Sequence, residues 1–158
     1  MKTQVAASAI INVSARQVYT IIADYHNGHP HILPSQYFSD LRVEQGGIGA
    51  GTIIGFQMRV LGRTQAFRAA ITEPEPGRVL VETNLPSGAV TTFTVDSRSG
   101  GRRAQVTIAT ELAAPNWLEG LFTKMLLQRI YVQELKLLAA FAEQHSLVAG
   151  ANTSKAIA

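Results

Sequence analysis

The chain contains no cysteine. That absence excludes disulfides, thiolate metal sites and a cysteine nucleophile. Charge is scarce as well: only 16% of the 158 residues are Asp, Glu, Lys or Arg, and the net charge is +3. A nucleic-acid reader needs a broad basic face with interleaved aromatics, and none is visible, so no nucleic-acid partner is expected. Arg98, Arg102 and Arg103 merely flank Ser99-Gly100-Gly101, which reads as a hairpin tip. No run of about 18 apolar residues offers a membrane span. The opening residues lack the apolar core of a secretory signal and read as mature structure, which is compatible with the cytoplasm. There is no internal repeat and no low-complexity segment.

What is present is a chain 46% hydrophobic, of a length that suits one domain with a sizeable core. From Asn116 to about Ser146 there is no proline and no glycine after Gly120. Leu118, Leu121, Phe122, Met125, Leu126, Ile130, Leu137, Leu138 and Phe141 recur there at three- and four-residue steps. This is the period of a buried helical face. Such a helix of roughly 30 residues is about 45 Å long. Pro115 precedes it, Asn116 stands three residues before Glu119 as a cap-like pair, and Gly150 closes it. One domain is expected over residues 1–150, with a pattern-free, loose tail over 151–158.

Ahead of the long helix the periodicity is mostly that of strands. Val5, Ala7, Ala9, Ile11 and Val13 share one face of a first strand. Ser14-Ala15-Arg16-Gln17 then forms a capping box, with Val13 and Val18 placed as a hydrophobic staple. Val18, Ile21, Ile22 and Tyr25 make the buried stripe of this helix, and Asn27-Gly28 ends it. A short helical turn follows through Pro30 to Leu33. Six strands come next: 37–44, 52–61, 64–72, 78–83, 89–96 and 102–112. The segment 46–51 reads as a flexible Gly-rich turn, Gly62-Arg63 as a tight turn, and Glu73-Pro74-Glu75-Pro76-Gly77 as unable to lie inside a strand. The inward residues read as Val79 and Val81, then Thr91, Phe93 and Val95, then Val106, Ile108, Thr110 and Leu112. Sequential strands joined by short turns argue for an antiparallel sheet, with the first strand pairing with the last. The fold class is therefore α+β: a curved antiparallel sheet of about seven strands around a long C-terminal helix, with two short helices after the first strand. A sheet wrapped around a single helix leaves space between them.

In this order of elements, Ile11-Asn12-Val13-Ser14-Ala15-Arg16-Gln17-Val18-Tyr19, Ala23-Asp24 and His29-Pro30-His31-Ile32-Leu33-Pro34 stand at its start. Gly49-Ala50-Gly51-Thr52, Glu73-Pro74-Glu75-Pro76-Gly77-Arg78-Val79-Leu80 and Thr92-Phe93-Thr94-Val95 follow. Through these segments, over residues 3–146, the chain resembles the START-like superfamily (Bet v 1-like, SRPBCC, the helix-grip fold). Within it the chain is most similar to the bacterial polyketide cyclase/dehydrase-like group. The resemblance implies a hydrophobic cavity between sheet and helix that holds a lipid, polyketide, sterol, quinone or similar molecule. It leaves the ligand open, because one fold hosts binders, transporters and enzymes.

The candidate site residues are Tyr25, His29, Tyr37, Phe56, Met58, Phe67, Phe93, Phe122, Met125 and Arg129. The aromatic and Met set is either cavity lining or ordinary core. Arg129 interrupts the apolar stripe. It either holds an anionic ligand group, pairs with a carboxylate such as Glu111, or snorkels to the edge. His26, His29 and His31 can be written as zinc ligands, but H-x-x-H-x-H is not a standard spacing and only Asp24 is near as a fourth ligand, so no metal and no cofactor are expected. Glu111, Glu134, Asp24 and Asp96 are scattered and suggest no two-carboxylate mechanism. Binding of a small hydrophobic ligand leads, because no coordinated acid–base pair is visible. A polyketide cyclase/dehydratase-type enzyme is the alternative. A partner-binding module or homodimer stays open, with Ile48 and Leu85 as candidates for an exposed apolar patch.

Overall fold

The computed structural model describes residues 2–114 and 116–157, without the side chains of 151–153, 156 and 157; Pro115 and Ala158, named above, lie outside the described residues. The order of elements is β1 (Lys2–Ile11), α1 (Ala15–Ala23), a 3-10 turn at His29–His31, β2 (Phe38–Gln45), β3 (Ile53–Val60) and β4 (Arg63–Glu75). Then come β5 (Val79–Asn84), β6 (Val90–Arg98), a 3-10 turn at Ser99–Gly101, β7 (Arg103–Ala113) and α2 (Trp117–Ile157). All seven strands form one antiparallel sheet in the order β1-β7-β6-β5-β4-β3-β2. The first strand pairs with the last, Val5 opposite Thr110. This is the expected α+β architecture.

Local chemistry explains the helix ends. The Ser14 hydroxyl oxygen accepts from the Gln17 amide N–H, while its O–H donates to Gln17 Oε1 at 2.9 Å. Val13 and Val18 are both buried beside it. At α2 the pairing is reciprocal: Glu119 N–H donates to Asn116 Oδ1 at 2.9 Å, and the Asn116 amide donates back to Glu119. One backbone donor in the first turn of each helix is satisfied in this way.

Five expectations about local structure are corrected. Strand β4 continues through Pro74 to Glu75, because a bulge between Thr72 and Glu75 places the proline where no ladder bond is required. The 46–51 loop is tied down rather than flexible. Tyr25 N–H donates to Gly47 O, Gly49 N–H to Ala23 O, and Gly47 N–H to Thr52 Oγ1, each at 2.9 Å. Glu73 clamps the same loop, accepting from Ala50 N–H at 2.7 Å and from the Tyr19 hydroxyl at 2.6 Å. In β5 the inward face is Leu80, Glu82 and Asn84 rather than Val79 and Val81. The buried stripe of α2 is Ile130, Tyr131, Glu134, Leu135, Leu138 and Ala142, whereas Leu118, Leu121, Met125 and Leu137 are exposed. The helix also runs on to Ile157 where a closed end at Gly150 and a loose tail were expected. A glycine weakens a helix by about 1 kcal/mol but does not stop it. No helix among the described residues is long and apolar enough to cross a membrane.

Gly28 fixes the start of the 3-10 turn that carries His29. A Cβ there would sit 2.3 Å from the backbone oxygen of Ile21. Gly88, at φ +70°, has open space around its own missing Cβ. Gly28→Ala is therefore expected to destabilise the fold by about 1–3 kcal/mol through a clash with rigid backbone. Gly88→Ala should lose only the left-handed strain of about 1–2 kcal/mol. Denaturant unfolding of both variants checks the order; equal effects would show that the 28–29 segment yields freely.

Candidate functional site

Helix α2 lies along β1 and makes slighter contacts with β7, α1 and the His29–His31 turn. Between it and the far part of the curved sheet is a cavity of about 560 Å³. That is an ordinary volume for a small-molecule site. Phe56 and Met58 from β3, Phe67 and Ala69 from β4, and Phe93 from β6 form the sheet wall. Leu126, Leu127 and Ile130 of α2 face them. Phe56 stacks on Phe67 with centroids 5.6 Å apart, and Phe38 leans on Phe56 at 5.8 Å.

The mouth is built from tips. Val60 and Arg63 close the β3–β4 hairpin through the two residues Leu61 and Gly62, at φ 52° and 74°. Two consecutive positive values mark a type I′ turn, where Asn-Gly is the usual pair. Leu61 takes the Asn position instead, lines the cavity and is 76% exposed. Ser87, in the β5–β6 turn, and Phe122, early in α2, complete the rim.

The opposite end is buried and polar. His29 is 2% exposed; its Nδ1 lies 2.8 Å from the carbonyl of Ile22. A carbonyl only accepts, so Nδ1 carries the hydrogen and Nε2 points the other way. Nε2 lies 3.5 Å from Glu82 Oε1, which also accepts from the Tyr25 hydroxyl at 2.6 Å. Tyr25 stacks on His29 with centroids 4.4 Å apart, and Phe93 meets His29 edge-on. Burial, then Glu82, push the Tyr25 phenol well above its ordinary range, so it remains a donor. On the other flank the hydroxyls of Tyr131, Thr110 and Thr91 form a chain. Burial pushes the Tyr131 phenol up to about 12.

Glu134 lies between these groups on α2 and is 3% exposed. Its carboxyl lines the cavity and has no hydrogen-bond partner among the described residues. Burial first, and Glu82 second, hold it well above the usual carboxylate range. Two carboxyls in one low-dielectric pocket disfavour double ionisation.

The structure brings six of the ten sequence candidates to the cavity wall: His29, Phe56, Met58, Phe67, Phe93 and Phe122. Four lie elsewhere. Tyr25 stands behind His29 and reaches the cavity through Glu82. Tyr37 packs against the core at a distance from the lining. Met125 and Arg129 are exposed, because the buried stripe of α2 passes along the Leu126–Ile130 side. The three neighbouring histidines diverge. His29 faces inward, His31 stacks on Phe141 at 4.7 Å, and His26 approaches Gly47. Glu82 and Glu134 were missed as site residues. For Glu134 a signal existed: it falls four residues after Ile130 and four before Leu138, on one helical face.

A buried acid whose native pKa is raised gives stability that is complete below its unfolded value, 4.5, and is lost as pH rises towards and through the native value. Glu134→Gln keeps the shape and removes that dependence. Its melting temperature should equal that of the parent below pH 4.5 and exceed it increasingly above. A gain of about 2–4 °C is expected for each kcal/mol recovered. A difference that stays flat with pH would show Glu134 to be solvated like a surface glutamate.

Comparison with known proteins follows the geometry. A sequence profile described as polyketide cyclase / dehydrase and lipid transport matches residues 2–143. The KanY protein, solved in solution, has 24% identity and a TM-score of 0.80, covering 90% of this chain and 99% of its own. The Zhui aromatase/cyclase of Streptomyces sp. R1128 has 15% identity and a TM-score of 0.79, covering 95% and 99%. A START superfamily protein of Mycobacterium smegmatis has 14% identity and a TM-score of 0.74, covering 90% and 98%. No curated protein sequence matches. The structural likenesses establish the fold, and the profile spans nearly the whole chain: the protein belongs to the polyketide cyclase/dehydrase and lipid transport family.

Proposed function

We propose that this protein binds one small hydrophobic molecule, of the lipid, polyketide or quinone kind, in the cavity between the sheet and α2. One observation carries the reading: an apolar space of about 560 Å³, open at one end and ringed by aromatic side chains, in a fold whose single long helix does not fill it. The family match to polyketide cyclases and lipid transport supports the same class of ligand. Burial of a ligand's apolar surface at about 25 cal/mol per Å² is the driving term.

A second reading, a cyclase or dehydratase, is favoured by a specific feature. Glu82, His29, Tyr25 and Glu134 gather at the closed end, an acid–base set that the sequence alone does not display. One carboxyl with a raised pKa beside another that accepts hydrogen bonds is the kind of arrangement general acid–base catalysis uses. The readings separate on whether a β-polyketone analogue leaves the protein unchanged, or as a cyclised isomer of the same mass or its dehydrated product lighter by one water.

The binding reading is tested with an apolar fluorescent dye and a fatty acid, each expected to bind at one site per chain. Ala69 is buried and its methyl faces the cavity. Ala69→Trp should fill the space and lower dye affinity roughly ten-fold, about 1.4 kcal/mol. Its effect on melting should stay below the 1–3 kcal/mol or so of an overpacked core. Arg129→Met, on the exposed side, should change neither quantity. Undiminished dye affinity in a stable Ala69→Trp protein would remove the cavity as the binding site.

A further inference from the structure

At the closed end of the cavity the hydrogen-bonding capacity is unevenly used. Glu82 Oε1 already accepts from Tyr25 and faces His29 Nε2. His29 Nδ1 is occupied by the Ile22 carbonyl. The hydroxyls of Tyr131, Thr110 and Thr91 are joined by two hydrogen bonds, which occupy two of their three O–H donors. Glu134 differs: its residue is almost wholly buried and lines the cavity, no hydrogen bond ties its carboxyl to another described residue, and its oxygens open onto the cavity space. A carboxyl placed so is completed by whatever enters the cavity, water or a ligand.

We propose that Glu134 is a ligand-contacting residue that donates a hydrogen bond to a neutral oxygen acceptor, a ketone, ester or quinone carbonyl, carried at the leading end of an otherwise apolar ligand. The inference rests on the binding reading above and sharpens it to a ligand class. Three features of the geometry select that class. The carboxyl projects from the middle of α2 into a space walled by Phe93, Ile130 and Ile54, so a group that reaches it must shed its water. Glu82 is close enough to act on it electrostatically, which disfavours any second anion there. Among the described residues no Lys or Arg lines the cavity to balance a ligand carboxylate. The proton of Glu134, tied to no protein acceptor, is then a donor open to a ligand oxygen, and carboxylates are rejected.

The site therefore selects by charge, opposite to the selection that an inward Arg129 would give. Glu134→Gln retains a donor, its side-chain amide, and should retain carbonyl recognition. Glu134→Met removes the donor while keeping length and apolar bulk, and relieves the burial of a carboxyl, so it should fold.

The test uses four rigid probes of similar shape: fluorene, 9-fluorenone, fluorene-9-carboxylate and 9-aminofluorene, titrated at neutral pH into the parent, Glu134→Gln and Glu134→Met. The parent should bind fluorenone roughly five- to ten-fold more tightly than fluorene, the range of one neutral hydrogen bond, and the carboxylate weakest of all. Glu134→Gln should keep the fluorenone preference. Glu134→Met should bind fluorenone and fluorene alike, with fluorene no weaker than in the parent. If fluorene binds but fluorenone gains nothing, or Glu134→Met weakens both equally, Glu134 is not the contact and the proposal is overturned while the cavity reading stands. Tightest binding by the aminofluorene ammonium, lost in Glu134→Gln, would overturn it too, making Glu134 an anionic site. If none of the four binds the parent protein, the binding reading itself falls.

Discussion

One helix cannot cover a seven-stranded sheet. Strands spaced about 4.8 Å apart give such a sheet a width near 29 Å, while a helix with its side chains is about 10–12 Å across. Helix α2 settles along β1, at one end of the strand order, and leaves β3 to β6 to curl over a space that it does not occupy. The core that holds the fold together is gathered where α1, α2, β1, β6 and β7 meet, with Val18, Ile22, Ile11, Val106, Ile108 and Leu138 all buried. The cavity is what the mismatch in width leaves over. Its aromatic wall is the inner face of strands that the helix does not reach.

Within that space, polarity is confined to one end, and its members support each other unequally. His29 is held by the stacked Tyr25 ring, by the edge-on contact with Phe93 and at Nδ1, so its orientation belongs to the fold. Tyr25 holds Glu82. The 46–51 loop pins Tyr25 in turn, through the N–H to Gly47 O bond. The glycines of that loop allow the approach: a Cβ on Gly47 would lie 2.0 Å from His26 Nε2. A network so supported at its outer side and open at Glu134 is rigid where it meets protein and unsatisfied where it meets the cavity. This is the pattern expected of a preorganised recognition surface.

The architecture was legible in the sequence because period and punctuation agreed throughout. Alternation in 89–112, the Ser14 cap and the long helix each pointed to the same α+β arrangement, and the family resemblance fitted it. The site was legible only in part, for two physical reasons. In Val79-Leu80-Val81-Glu82, both faces carry apolar residues, so counting hydrophobics favours the valines; the structure instead buries Leu80, and Glu82 comes inward with it. A strand's period of two makes such a choice all or nothing. On α2 the apolar residues outnumber what one face can bury. Met125, Leu121 and Leu137 therefore read as core although they face solvent, and Arg129 among them stood open between the ligand, a carboxylate and the edge; the structure exposes it. The six candidates that reach the wall are those on strands of clean alternation, together with His29 and Phe122. Glu134 was visible at its helical position but counted only as one of four scattered carboxyls, and a buried carboxyl is the rarer outcome.

The placement of Leu61 has a further consequence for how such a protein can change over generations. The rim of the cavity stands on a hairpin tip, a second turn and the first turns of a helix, whereas the closed end stands on the middle of β5, of α2 and on the 3-10 turn. Tips tolerate replacement and insertion because few other groups depend on them. The closed end does not, since Tyr25, Glu82, His29 and the Tyr131–Thr110–Thr91 hydroxyls depend on one another. Entrance and polar closed end thus stand on separate parts of the chain. Substitution can widen, narrow or reshape the entrance, beginning with the strained leucine at a position better suited to asparagine, and leave the buried carboxyls untouched.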